Sequence, residues 1–128
     1  MTTELSIQEV AKLTQLSAHT LRYYERIGLL DPVRRASSGH RRYSKQDIGW
    51  IEFITRLRAT GMPIRDMQRF AELRRQGDST FAQRRELLEA HQQHIVQQLE
   101  ALEQNSKILD KKIRHYKQLE AERNADTR

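Results

Sequence analysis

Apolar positions recur at helical spacing through the first part of the chain and then change to a longer, coarser rhythm. Ile7, Val10 and Ala11, with Leu13 and then Leu16, mark a short amphipathic helix over about residues 7–14. Ser6-Ile7-Gln8-Glu9 supplies its capping box, in which Ser6 accepts from the Glu9 amide while Glu9 reaches back. Ser17 caps a second helix over about 18–27, and Gly28 stands where a helix of that length ends. Two short helices with so brief a break predict a helix-turn-helix whose second helix is the reading one.

Leu29-Leu30 returns to the core and Asp31-Pro32 turns the chain. Between Val33 and Tyr43, Ser37-Ser38-Gly39 reads as a hairpin tip. Each flanking arm carries an arginine pair, Arg34-Arg35 and Arg41-Arg42. Arms this short need a helical support, so the segment predicts a small wing. Ser44 to Asp47 repeats the capping box in a weaker form, with Asp in place of Glu. A third helix follows over about 45–60, burying Ile48, Ile51, Ile54 (or Phe53) and Leu57. A fourth runs from Pro63 to Gly77 with Ile64, Met67, Phe70, Ala71 and Leu73 on its inner face.

From Ser79 the rhythm is that of a coiled coil. Alternate steps of four and three from Phe81 reach Arg85, Leu88, Gln92, Ile95, Leu99, Leu102, Ser106, Leu109, Ile113, Tyr116 and Glu120, with no proline or glycine between them. The apolar members Phe81, Leu88, Ile95, Leu99, Leu102, Leu109, Ile113 and Tyr116 form the expected dimerisation seam. Such a helix of about forty residues is roughly 60 Å long and has no core of its own to cover the seam. A second copy of the chain is the expected cover. The pattern therefore predicts an all-α protein with a small β wing: a winged helix-turn-helix head over 1–77, a coiled-coil dimerisation helix over 78–121, and a polar, frayed tail over 122–128.

Charge sharpens this division. Residues 1–77 hold 14 Lys+Arg against 8 Asp+Glu, and residues 78–128 hold 9 against 9, so the formal +6 lies entirely in the front part. A basic head on a neutral tail suits a polyanion partner, although arginine used for solubility would look the same. At 37% hydrophobic and 31% charged, the chain suits an elongated protein better than a large globule. No apolar run is long enough for a membrane span and no signal segment stands at the front, so a cytoplasmic protein is expected. With no cysteine, neither a disulfide nor a thiolate metal site can form. No nucleophile with base and orienter and no glycine-rich phosphate loop is present, which predicts no enzyme and no cofactor. His91 and His94 share a helix face without a third ligand and read as solvated.

The candidate contacts cluster on the second helix. His19 and Thr20 stand at its exposed start, where base edges are met, and Arg22 can bond guanine or phosphate bidentately. Arg22 could instead pair with Glu25 or Glu9. Tyr23 offers a phenol to phosphate; Tyr24 could do the same, but one of two adjacent tyrosines normally turns to the core. Arg41 and Arg42 alternate in facing, so one of them is expected to hold backbone or enter a minor groove. Arg65, opening the fourth helix, could meet a phosphate or simply be solvated.

In its order of parts the chain resembles the MerR family of bacterial transcription regulators. The matching stretches are S-I-Q-E-V-A-K-L-T-Q-L-S (6–17), T-L-R-Y-Y-E-R-I-G-L-L (20–30), the wing G-H-R-R-Y-S (39–44), the junction L-R-A-T-G-M-P-I-R-D-M (57–67) and the long last helix. The resemblance implies a homodimer held by antiparallel C-terminal helices. It would bind an inverted repeat in double-stranded promoter DNA, bending and untwisting it so that RNA polymerase can use promoter elements spaced too far apart. It also implies phosphate contact near Tyr43, which by pattern packs under the wing. The closest branch is the aldehyde- and thiol-stress-responsive one, whose members carry a cysteine where Arg56 stands here. An architectural, excisionase-like accessory factor is the alternative, since such factors use a similar winged head but need no long dimer helix. A coiled-coil adaptor with no DNA role is a third reading, opposed by the basic cluster.

Overall fold

The computed structural model describes residues 4–31, 35–37, 39 and 42–127. Its helices are α1 (Ile7–Thr14), α2 (Ala18–Arg26), α3 (Lys45–Ala59), α4 (Ile64–Gln76) and α5 (Phe81–Asp126). A 3-10 turn, Asp78–Thr80, joins α4 to α5 and was not foreseen from the pattern. Local chemistry accounts for the starts. The Glu9 amide donates to Ser6 Oγ at 3.2 Å while the Ser6 amide donates to Glu9 Oε1 at 3.1 Å. At α3 the shorter aspartate closes a complete box, Ser44 N–H to Asp47 Oδ2 at 2.8 Å and Asp47 N–H to Ser44 Oγ at 3.1 Å.

The chain divides into two compact units, residues 1–88 and 89–128. The first is built on one core. Val10 of α1, Leu21 of α2, Leu29 beyond it, and Ile51 and Ile54 of α3 are fully enclosed, and Met67 of α4 nearly so. Three aromatic rings extend this core: Trp50 stacks on Phe70 at 5.8 Å, and Phe53 tilts against both. Leu13 departs from its expected inward position and is 61% exposed, since it lies off the Ile7–Val10 face at the end of α1. It borders a surface hollow of about 290 Å³ with Thr14, Gln15, Glu52, Thr55 and Arg56.

Part of the predicted wing, including Arg34, Ser38, His40 and Arg41, lies outside the described residues. Among the described residues, one antiparallel bridge joins Leu5 to Tyr43, with both N–H···O distances 2.8 Å. The Gly39 amide donates to the Ala36 carbonyl at 2.8 Å, as the tip of a turn should.

The second unit is helical from its start to Asp126, five residues past the point where fraying is predicted. Its side chains are exposed almost throughout. The boundary between units falls at Leu88 and not at Gly77, because the first turns of α5 stay with the head. There Leu88 packs against the head's core, and Thr80 is buried.

Candidate nucleic-acid interface

Helix α2 is set by its cap and by two buried anchors. Ser17 Oγ accepts from the Thr20 amide at 3.0 Å and donates to Thr20 Oγ1 at 2.9 Å, which leaves the Thr20 hydroxyl hydrogen available. Leu21 and Tyr24, one turn apart, enter the core. His19, Arg22, Tyr23 and Arg26 are left on the solvent side, with Thr20 half-buried at the edge. The Arg26 guanidinium lies 5.8 Å from the centre of the Tyr23 ring, a cation–π spacing.

Two expected contacts are corrected by burial. Tyr24 is only 7% exposed, its ring 6.2 Å from that of Tyr23, so of the adjacent pair Tyr24 is the core residue and Tyr23 the surface one. Tyr43 is fully enclosed within the head's core, and its backbone pairs with Leu5, so its side chain is not on the surface where a phosphate would be met. Arg42 is half-buried and its charge acts on Glu9. The Glu9 carboxyl is held below its ordinary range first by the Ser6 amide, then by the Ser6 hydroxyl, with a smaller pull from Arg42. Arg65 is exposed in the first turn of α4, whose cap, Pro63, offers no side-chain acceptor. Arg41 lies outside the described residues.

The far end of α2 shows a set of contacts that periodicity could not reveal. Gly28 takes a positive φ of 83° and the chain turns back toward the core. Three successive carbonyls here accept from side chains of α3 and α4. Gln68 Nε2 donates to Ile27 O at 2.8 Å, Trp50 Nε1 to Leu29 O at 2.8 Å, and Arg75 Nη2 to Gly28 O. Arg75 Nε also meets Asp31 Oδ1 at 2.5 Å, and Arg74 lies over the Trp50 ring at 4.4 Å. The Arg75 guanidinium is held above its ordinary pKa, chiefly by its hydrogen bond to Asp31.

Along α5 the seam residues divide. Leu99, Leu102, Leu109, Ile113 and Tyr116 are each more than half exposed, as is Phe81, over whose ring Arg84 lies at 4.7 Å. Ile95 is half-buried, whereas Leu88 is used by the head itself. Val96, Ile108 and Leu119 are exposed apolar residues that the strict four–three stepping missed.

Two family models match the chain: the MerR HTH family regulatory protein model over residues 5–73 and the MerR DNA-binding model over 48–112. The chain is 42% identical to the HTH-type transcriptional regulator AdhR of Bacillus subtilis over 73% of its own length and 66% of that protein. It is 34% identical to an HTH-type transcriptional regulator of Haemophilus influenzae over 88% and 84% of the two chains. Among solved structures it is similar to HiNmlR, a MerR family regulator lacking the sensor domain and crystallised on promoter DNA. That likeness has a TM-score of 0.83 at 32% identity over 93% of this chain and 94% of the other.

Proposed function

Because the chain belongs to the MerR family of DNA-binding transcription regulators, we propose that it acts as a homodimer on an inverted repeat in promoter DNA, bending and untwisting the duplex for RNA polymerase. The observation that carries this is α2: its apolar side is anchored by Leu21 and Tyr24, and its open side presents His19, Arg22 and Tyr23 together. His19, Thr20 and Arg22 read base edges, and Tyr23, Arg42 and Arg65 hold phosphates. Arg41 joins them from its place in the wing sequence, while Tyr24 and Tyr43 act from within. The division of labour is a reading head over 1–77 and a pairing helix over 78–121, whose first turns up to Leu88 pack with the head and which is extended by the helical residues up to Asp126. The exposed leucines and Ile113 of α5 support pairing with a second copy. HiNmlR, whose fold this chain shares, was crystallised on promoter DNA, which favours the same ligand class here.

The protein works as a regulator and not as a catalyst, in the cytoplasm where promoters are found. Among the described residues no helix is long and apolar enough to cross a membrane. The chain has no cysteine, so no thiol of its own senses an electrophile, and Arg56 stands where the resemblance to the stress-responsive branch would place one. Selecting duplexes from a random library with the full chain tests the reading. An enriched palindrome, bound by one dimer and bent, is expected. Absence of any enriched palindrome overturns it, and a monomer in light scattering would favour the accessory-factor alternative.

A further inference from the structure

The turn that follows α2 is held by directional contacts, two from side chains of α4 and one from Trp50 of α3. A helix end leaves its last carbonyls without intrahelical donors. Backbone amides meet the carbonyls of Tyr23, Tyr24 and Glu25, and in the cap and turn just beyond, Ile27, Gly28 and Leu29 each receive a donor from a side chain 21 to 47 residues away in sequence. Gln68 and Arg75 are seven residues apart, two turns of α4, and therefore present their donors on one face of that helix. The apolar anchors Leu21 and Tyr24 fix how deeply α2 sits, but apolar contact is non-directional. Hydrogen bonds weaken steeply with angle, so the carbonyl contacts define how α2 is tilted and rolled.

The end of α4 that carries Arg75 is also tied to the beginning of α5, within the head. Thr80 Oγ1 lies 2.6 Å from Leu73 O and 2.8 Å from Gly77 O. Arg84 donates to Thr80 Oγ1 at 3.1 Å and to Gly77 O at 2.9 Å. The C-terminal half of α4 thus carries two sets of polar contacts, one to the turn after α2 and one to the first turn of α5.

We propose that Gln68 and Arg75 are positioning residues for DNA distortion: they set the attitude of α2 against α4, so that the bend imposed on the duplex depends on them more than affinity does. This rests on α2 being the reading helix. Arg75 suits the role because its side chain is one-third exposed, so its removal opens no core cavity. Its ion pair with Asp31, itself half exposed, contributes little stability by the usual measure of surface pairs. Its contribution is geometric.

The experiment uses the full chain and the duplex that the wild-type chain selects from a random library, labelled with a fluorophore at each end. Affinity is read by anisotropy, bending by energy transfer at saturating protein, and folding by thermal melting. For the Gln68→Ala/Arg75→Ala chain, the bending signal should fall by at least half at saturation while Kd rises less than about tenfold. Arg75→Lys, which keeps charge and one donor direction, should restore part of the bend. Should the double variant melt below the assay temperature, Gln68→Ala alone is held to the same comparison. Unchanged bending at saturation overturns the proposal, and so does a bending loss that merely tracks lost melting temperature and affinity. A wild-type chain that selects no duplex, or leaves it straight, overturns the DNA-distorting reading itself and this inference with it.

Discussion

On α2 the solvent-facing positions are His19, Arg22, Tyr23 and Arg26, whereas on α5 they include Leu99, Leu102 and Leu109. Both helices are amphipathic in sequence, but they have spent opposite faces. Helix α2 has put its apolar side into the head's core and offers polar groups to water. The part of α5 beyond residue 88 has no core of its own to enter and offers its apolar side instead. The first surface is chemically complete in water and becomes useful when a polyanion arrives. The second is incomplete, because contiguous exposed leucines mark a site of association.

The sharpest way to break that comparison is to charge the second surface. If pairing buries them, Leu99→Glu/Leu102→Glu takes four leucines per dimer out of the interface, each worth about 1.5–3 kcal/mol, so the loss should be on the order of 6 kcal/mol or more. Sedimentation should then show a monomer at micromolar concentration, and a persisting dimer would remove these residues from the pairing face. Next in size is a change inside the head. Ile54→Ala, at a fully enclosed position, should lower head stability by about 2–5 kcal/mol in urea. Dimer dissociation should stay as it was, since the head carries its own core.

Smaller effects separate the polar surface from its supports. Arg22→Ala should weaken binding to the selected duplex by about 1–3 kcal/mol if it meets a base edge, with melting unchanged. Ser17→Ala removes the cap that starts α2 and should cost about 1 kcal/mol of head stability. Smallest is the titration of Glu9, whose folded pKa lies below the ordinary 4.5. A depressed carboxylate stabilises above its unfolded pKa, and that stability is lost as pH falls through the folded value. Comparing Glu9→Gln with the parent chain from pH 6 down to pH 3 should therefore show the difference vanishing on the acid side.

Local patterns revealed most of the helices and, on α2, that His19 and Arg22 stand outward. The Ser6–Glu9 box, the Ser17 cap and the three- and four-residue spacing on α3 and α4 involve neighbours in sequence, so their geometry could be read from the letters. Choosing between Tyr23 and Tyr24 could not be done that way. Adjacent residues differ by about 100° on a helix, and either could have faced the core until Leu21 was seen buried one turn before Tyr24. Leu13 is exposed for a related reason: its spacing admits it to the apolar stripe, but it sits off the Ile7–Val10 side that the core covers, at the end of α1. Gln68, Arg75 and Trp50 carry no local signal at all, because each meets its carbonyl across a long loop in sequence. The buried Thr80 hydroxyl belongs with them, as it serves a carbonyl seven residues back.

Gly28 imposes a demand of an unusual kind. A Cβ built there would meet nothing within 4 Å, so the site has room for a side chain, yet its φ of +83° is one that L-residues rarely adopt. What position 28 requires is a handedness and not a volume. A D-alanine introduced there by chemical synthesis should fit without strain and, by narrowing the unfolded ensemble, stabilise the head. The L-enantiomer, identical in size and polarity, should loosen it. Mirror-image substitution therefore separates the shape of this corner from its space, with Arg75 and its carbonyl partner left in place.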